Sequence, residues 1–153
     1  MKKHLKVEMI KDGTVIDHIK HGKAPEVLKI LGIDENFPGV IAIAMNVQSK
    51  ILGKKDIVKI ENRDLNGKEV NKIAIISPNA TINKIRSYKV VEKYKVSLPN
   101  EIIGILKCPN PVCITNKSLE PVITKFLVKS QEPLILVCKY CEREIKEDEI
   151  KEK

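Results

Sequence analysis

All four cysteines of this sequence lie near its end, in two closely spaced pairs. Four residues separate Cys108 from Cys113, and two residues separate Cys138 from Cys141. Each pair forms a short loop that can present two sulfurs to one ion, and two facing loops supply a tetrahedral set of four. The spacing therefore predicts one zinc ion per chain. That ion is structural, because four protein ligands leave no open position for water or substrate.

Paired cysteines have three other uses, which are weaker interpretations here. Disulfides need an oxidising compartment, and the opening residues MKKHLKVEMIKDG contain no signal peptide, although hyperthermophile cytosols are an exception. A redox-active CxxC motif predicts one reactive pair rather than two matched pairs. Four thiolates also hold iron, yet nothing in the sequence supplies a redox partner. For zinc, the neighbouring Lys107, Lys139 and Arg143 can offset the negative charge of the thiolates.

The net positive charge of the sequence comes from the part without cysteines. Residues 1–100 carry 19 Lys and Arg against 11 Asp and Glu, whereas residues 101–153 carry nine of each. A basic domain suggests a polyanionic partner, such as a nucleotide phosphate, a nucleic acid or a membrane surface, but a solvated lysine-rich surface gives the same charge. No apolar stretch approaches the length of a membrane span, so we expect no membrane partner and a cytoplasmic location.

The elements that must position these groups can be placed along the first hundred residues. Strands are predicted at TVIDHI (14–19), VIAIAMNV (40–47), KDIVKIEN (55–62), ATINKI (80–85) and SYKVVEKYKV (87–96). The continuous apolar run VIAIAMNV predicts a buried strand, whereas KDIVKIEN alternates, as a strand covered on one face does. Helices are predicted for KAPEVLKILG, between Pro25 and Gly32, and for NGKEVNKIA, where Asn66 and Glu69 form a capping box.

This order of elements predicts an α+β fold class. The order β-α-β-β-α-β plus one strand is that of a ferredoxin-like split βαβ sandwich, with two helices on one face of an antiparallel sheet. Charge and cysteine content change at SLPN (97–100), so we expect one domain over residues 1–97 and another over residues 98–153. In the second, EIIGILKC, TKFLVK, PLILVC and EREIKED predict short strands around the cysteines, giving a small β-rich zinc-binding domain.

Polar residues at strand positions of the first domain could hold a ligand. They are Glu8, Asp17, His18, Lys54, Lys55, Lys59, Asn83, Tyr88 and Lys93. A carboxylate suits ribose hydroxyls and lysines suit phosphates, although each residue taken alone could be an ordinary surface group. The sequence has no P-loop, GxGxxG motif or Ser/His/Asp set, so we expect no enzyme. A basic zinc-ribbon nucleic-acid-binding protein is the alternative, although few aromatic residues are present for base stacking.

Seven segments follow one another in the register of a known family. They are GTVIDHI (13–19), GKKDIVKIEN (53–62), PNATINKI (78–85), YKVVEK (88–93), SLPNEI (97–102), CPNPVCI (108–114) and CKYCE (138–142). Together they closely resemble the regulatory chain of aspartate carbamoyltransferase in its archaeal form. The resemblance implies a non-catalytic allosteric subunit of pyrimidine biosynthesis. Its N-terminal domain would bind ATP, CTP or UTP and pair with a second regulatory chain, and its zinc domain would dock on the catalytic chain.

The same resemblance implies which residues perform these tasks. Nucleotide contacts would fall on Val7, Glu8, Ile10, Asp17, His18, Lys59, Asn83, Ile85, Tyr88, Val90 and Lys93. Among them, Asp17 and Lys59 would hold the ribose, and Lys93 and His18 would face the phosphates. Backbone groups near Ile10, Ile85 and Tyr88 would read the base edge. The four cysteines would bind zinc, and the catalytic-chain interface would include Asn110, Lys139, Tyr140 and Glu142.

Overall fold

The computed structural model describes residues 9–117, 119 and 122–152. The chain divides into two compact units, Met1–Ser97 and Leu98–Lys153. Strands of the first unit are β1 (Gly13–Lys20), β2 (Ile41–Ser49), β3 (Gly53–Glu61), β4 (Thr81–Arg86) and β5 (Lys89–Lys95). Its helices are α1 (Ala24–Ile30) and α2 (Gly67–Ile76). Within the described ranges, no helix is long and apolar enough to cross a membrane.

The strands of the first unit form one antiparallel sheet in the order β2-β3-β1-β4-β5. Strand β1 is central, and neither of its neighbours follows it directly in the chain, since β3 follows β2 and β4 follows α2. This arrangement of two interleaved βαβ halves is the split βαβ topology. The predicted fold class is therefore confirmed for this unit.

The two faces of this sheet differ in what they present. Val58 on β3 pairs with Ile16 on β1, which pairs with Ile82 on β4, and all three side chains are buried. Directly paired residues project from the same face, so this row forms the apolar side of the sheet. Helix α1 contacts β3, and the helix residues Val27 and Ile73 are buried as well. Alternate strand positions project from the opposite face, which carries polar side chains.

Local sequence signals explain both helices. Pro25 lies in the first turn of α1, where the missing N–H costs no intrahelical bond, and Gly32 follows its end with φ of 68°. At the start of α2, the Asn66 side chain accepts the Glu69 backbone N–H at 2.8 Å. The Glu69 carboxylate in turn accepts the Asn66 N–H at 3.1 Å. The predicted capping box is confirmed.

Strand β2 corrects one prediction about burial. The run VIAIAMNV does form a strand, but it lies at the edge of the sheet, with β3 as its neighbour. As a result Ile43 is 44% exposed and Met45 is 42% exposed, so the prediction of a buried strand was wrong for this chain by itself. A continuous apolar run indicates that both faces of the strand favour burial, but it does not indicate whether the strand lies at the centre or at the edge of its sheet.

The second unit is built from short strands around a small apolar core. Its strands are β6 (Glu101–Ile103), β7 (Leu106–Lys107), β8 (Lys125–Gln131), β9 (Leu134–Cys138), β10 (Glu144–Lys146) and β11 (Lys151–Glu152). Four of them form an antiparallel sheet in the order β10-β9-β8-β6, and β7 pairs with β11. Ile102, Phe126, Leu136 and Ile145 are buried in this unit. The predicted strands around the cysteines are confirmed.

Candidate metal centre and polar sheet face

The four cysteine sulfurs form one compact cluster in the second unit. All four Sγ atoms lie within 4.8 Å of one another. Cys108 and Cys141 are separated by 3.7 Å between sulfurs, and Cys113 and Cys138 by 3.8 Å. A tetrahedral zinc site with Zn–S bonds of about 2.3 Å has sulfur–sulfur edges of about 3.8 Å, so the cluster fits zinc. The separations are far longer than the roughly 2.05 Å of a disulfide bond.

Backbone turns hold the two pairs of cysteines in this arrangement. The Cys113 N–H donates to the Asn110 carbonyl at 3.0 Å, and the Glu142 N–H donates to the Cys138 carbonyl at 2.9 Å. Glu142 adopts φ of 62°, which closes the turn after Cys141. The Asn116 side chain donates to the carbonyl oxygens of Cys108 at 2.9 Å and Asn110 at 2.7 Å. The first loop is therefore fixed by a side chain that the sequence pattern did not single out.

The protonation of the thiols depends on their surroundings. Burial raises the pKa of the Cys108 and Cys138 thiols above the usual range. At Cys141 burial acts in the same direction, but hydrogen bonds from the Arg143 backbone N–H and from the side chains of Asn110, Cys108 and Cys138 together lower the pKa to about 7. Zinc binds thiolates, so it must displace protons from Cys108 and Cys138 at neutral pH. When bound, the ion supplies a structural link between the two loops.

A row of residues crosses four strands on the polar face of the first unit. Lys59 on β3 pairs with Val15 on β1, Val15 pairs with Asn83 on β4, and Asn83 pairs with Lys93 on β5. Paired residues share a face, so Lys59, Asn83 and Lys93 project from the same side of the sheet. The Asn83 side chain donates to the Val15 carbonyl at 3.3 Å, which fixes its orientation. Partial burial lowers the pKa of Lys59.

Asp17 and His18 lie at the end of β1 beside this row. The Asp17 carboxylate pairs with the Lys55 ammonium at 2.9 Å and accepts the His18 backbone N–H at 2.6 Å. His18 adopts φ of 56°, and its Nδ1 lies 3.2 Å from the Thr81 hydroxyl oxygen. Asp17 and Thr81 are a cross-strand pair. The Asp17 carboxylate and the His18 imidazole on β1 therefore lie beside two lysines of the neighbouring strand β3, Lys55 and Lys59.

A second cross-strand row, two residues closer to the start of β1, is more apolar. Gly13 pairs with Ile85, and Ile85 pairs with Val90. Gly13 has φ of 146°, and a Cβ there would lie 2.1 Å from the Ile60 carbonyl oxygen and 3.0 Å from Ile10 Cδ1, so only glycine fits. Ile10 and Ile85 are buried, whereas Val90 is exposed.

A two-residue turn completes this end of the sheet. Ser87 and Tyr88 both have positive φ, 52° and 66°, and they join β4 to β5. This is the geometry of the primed hairpin turns, which match the twist of the flanking strands. The Tyr88 backbone N–H donates to the Lys11 carbonyl at 2.9 Å, and this bond holds the turn against the segment that precedes β1. Val7 and Glu8, also predicted as nucleotide contacts, lie outside the described residues.

The four residues predicted at a partner interface lie in the two metal-binding loops. Asn110 is in the first loop, and Lys139, Tyr140 and Glu142 surround the second cysteine pair. Tyr140 is 41% exposed, and Val112 between the first two cysteines is 72% exposed. The Lys139 ammonium pairs with Glu101 at 3.4 Å. The loops thus present apolar side chains outward while their sulfurs converge inward.

Comparisons with known proteins match both units. The allosteric domain of the aspartate carbamoyltransferase regulatory chain matches residues 5–97, and the metal-binding domain of that chain matches residues 100–151. The sequence is 58% identical over 146 residues to the aspartate carbamoyltransferase regulatory chain of Thermococcus gammatolerans, with 95% of each chain covered. It is 55% identical over 150 residues to that of Thermococcus kodakarensis, with 98% of this chain and 97% of the relative covered. With that of Pyrococcus abyssi the identity is 58% over 147 residues, covering 95% of each.

Proposed function

The chain belongs to the family of aspartate carbamoyltransferase regulatory chains, and from this premise we propose that it binds nucleotide effectors through its first unit and docks on catalytic chains through its second. The predicted resemblance and the prediction of a regulatory rather than catalytic chain are both confirmed by the matched families. The family descriptions also agree with an allosteric and a metal-binding domain. The identity of the effectors, the docking surface and the pairing of regulatory chains are the proposal. The expected cytoplasmic location remains a prediction.

The polar row of the first unit carries the proposal for nucleotide binding. Lys59 and Lys93 lie three strand spacings apart, about 14 Å between Cα atoms for strands spaced by about 4.8 Å. At that distance the two lysines suit different groups of one elongated ligand. Lys59 lies on β3, and Asp17 lies on the neighbouring strand β1. This proximity supports contact of both side chains with the ribose hydroxyls. Lys93 lies on the exposed strand β5, where a flexible ammonium suits phosphate oxygens.

The base of the nucleotide would contact the more apolar row that contains Gly13, Ile85 and Val90. Exposed Tyr88 and Val90 offer an apolar surface there, beside the buried side chains of Ile10 and Ile85. Backbone groups at the hairpin turn would supply the hydrogen bonds that distinguish one base edge from another. ATP, CTP and UTP are the proposed effectors.

The proposal for docking rests on the metal-binding loops. Exposed Val112 and Tyr140 are apolar side chains on loops whose shape depends on the sulfur cluster. Exposed apolar groups of this kind are frequent at protein interfaces, where Tyr is enriched. Together with Asn110, Lys139 and Glu142 they form a surface that would contact the catalytic chain of aspartate carbamoyltransferase.

A second regulatory chain is proposed at the outer edge of β2. This strand is the terminal strand of its sheet, and it carries the exposed apolar side chains of Ile43 and Met45. An exposed sheet edge with apolar side chains is a template for pairing with another strand. Pairing of two β2 strands in a homodimer would bury both features.

Binding of nucleotide by the purified, zinc-loaded chain tests the central proposal. Titration calorimetry with CTP, ATP and UTP should show saturable binding at one principal site per chain. Retention of single-stranded RNA at moderate salt should be weak. Strong RNA retention with no nucleotide binding would favour the alternative of a basic zinc-ribbon nucleic-acid-binding protein. Mixing with catalytic chains should yield a larger complex on sizing chromatography.

A further inference from the structure

A buried carboxylate connects three separate segments of the first unit. Asp56 on β3 is 0% exposed. One of its carboxylate oxygens accepts the backbone N–H groups of Gly22 at 2.8 Å and Ala24 at 3.0 Å, and the other accepts that of Asn46 at 3.0 Å. Gly22 belongs to the connection from β1 to α1, Ala24 begins α1, and Asn46 belongs to β2. A charged group that accepts three backbone bonds away from water is expensive to disturb.

Asp56 lies level with two irregularities in the strands on either side of β3. The register of β1 against β3 shifts between Ile16 and Ile19, and the register of β2 against β3 shifts between Ala44 and Val47. Each shift contains a residue with positive φ, His18 at 56° and Asn46 at 60°. Such bulges re-aim side chains and are frequent beside functional sites.

Lys55, the residue before Asp56, links β3 to Asp17 on the polar face. Lys55 pairs with Asp17 at 2.9 Å, and Asp17 accepts the His18 N–H. Consecutive residues of β3 therefore hold both ends of the segment from Asp17 to Gly22, one from each face of the sheet. The same Asp56 carboxylate also fixes the bulge of β2.

We propose that Asp56 is a positioning residue of the effector-binding face, which ties the segment carrying Asp17 and His18 to the bulge of β2. The inference rests on the proposed nucleotide function. Through this tie, a change at the outer edge of β2, such as pairing with a second copy of the chain, alters the geometry that Asp17 and His18 present to a nucleotide. The backbone of β2 at Asn46 thereby takes part in effector binding without contacting the effector.

The test perturbs β2 at a distance from the polar face. Asn46→Val places a β-branched residue at positive φ, which is strained, whereas Asn46→Gly accepts that φ and keeps the N–H that donates to Asp56. In the full-length, zinc-loaded chain, Asn46→Val should weaken CTP binding at least threefold by calorimetry, and Asn46→Gly should leave it within twofold of wild type. Asp56→Asn should reproduce the loss, because an amide cannot accept on both sides. Asp34→Asn is its matched control, since Asp34 is exposed and accepts an N–H in the loop after α1.

Amide hydrogen exchange separates this inference from the proposed function. Backbone N–H groups between Asp17 and Gly22 should exchange at least threefold faster in Asn46→Val than in Asn46→Gly, whether or not a nucleotide is present. Unchanged exchange in that segment, or CTP binding by Asn46→Val equal to that of wild type, would overturn the positioning role. If the wild-type chain binds no nucleotide, the proposed function fails, and the exchange rates alone decide whether the bulges are tied together.

Discussion

At the scale of single residues, Lys93 offers the clearest test of the polar face. If its ammonium contacts phosphates, Lys93→Ala should weaken CTP binding by about 1.5–3 kcal/mol, the range of a charge-assisted hydrogen bond. The loss should be much smaller for cytidine, which has no phosphate. Lys68→Ala is the matched control, because Lys68 lies on α2 away from the polar row. Calorimetry with both ligands decides it, and an equal loss for cytidine and CTP would place Lys93 away from the phosphates.

The cysteine thiols predict how zinc affinity depends on pH. Protons and zinc compete for the same sulfurs, so affinity must fall as pH falls. Above pH 7, Cys141 with its pKa of about 7 is mostly ionised, and the protons that zinc displaces include those of Cys108 and Cys138, whose pKa burial raises. Below pH 7 the Cys141 proton competes as well. A plot of log affinity against pH should therefore steepen below pH 7 by roughly one unit of slope, since each additional proton released contributes tenfold per pH unit.

A chromophoric chelator that competes for zinc between pH 6 and 8.5 measures this dependence. An affinity that does not change with pH would contradict thiolate ligation. A constant slope across pH 7 would contradict the separate ionisation of Cys141.

Residue identities at the site could be predicted further than their geometry. The cysteine spacing is a local property, so the metal cluster followed from sequence directly. The positive φ of His18 and the pairing of Asp17 with Lys55 depend on how β1 aligns with β3, about forty residues later. The burial of Asp56 could have been predicted from the sequence. Asp56 alternates in phase with Val58 and Ile60, the apolar residues on the buried face of β3. A carboxylate in such a position needs buried donors.

At the scale of elements, the start of α2 gives a prediction of stability. Asn66→Ala removes the side chain that accepts the Glu69 N–H, so the first unit should lose about 1 kcal/mol of unfolding free energy. Asn71→Ala, inside the same helix, should be neutral or slightly stabilising because alanine favours helix. Chemical denaturation of both variants tests this. Equal stability of Asn66→Ala and wild type would mean that the cap contributes nothing.

Element types were predictable because their signals are local, but their placement was not. Alternation identified β3, Pro25 and Gly32 marked the ends of α1, and the capping box identified α2. The apolar run of β2 has the same pattern as a central strand, and only the sheet order shows that it lies at an edge. That order arises from contacts between distant segments, which periodicity does not encode. The exposure of Ile43 and Met45 is the feature that the proposed partner strand would explain.

At the scale of the whole molecule, the separation of sulfurs and polar row into two units predicts separable losses. Cys113→Ser replaces one thiolate with a hydroxyl that binds zinc poorly, and the second unit depends on the metal for much of its folding free energy. The first unit contains no cysteine and has its own core, so the variant should bind CTP within a few-fold of wild type. It should fail to join catalytic chains, which would remain active but insensitive to nucleotides, because allostery needs both sites coupled.

Sizing chromatography and nucleotide titration on one preparation measure both losses. Ile51→Ser, an exposed substitution in the first unit, is a control that should assemble normally. Normal assembly of zinc-free Cys113→Ser would contradict the division of tasks between the units. Loss of CTP binding together with zinc would contradict it as well.

The position of the metal ligands along the chain also sets an order in time. Every strand of the first sheet has been synthesised once residue 95 is added, whereas the last sulfur of the cluster belongs to residue 141. Domains fold as units during synthesis, the N-terminal one first. The first unit can therefore acquire its sheet while the ribosome is still adding the second. Zinc supply then governs the last step, the folding of the second unit. A cell short of zinc would accumulate chains whose first unit is folded and whose second unit lacks its metal.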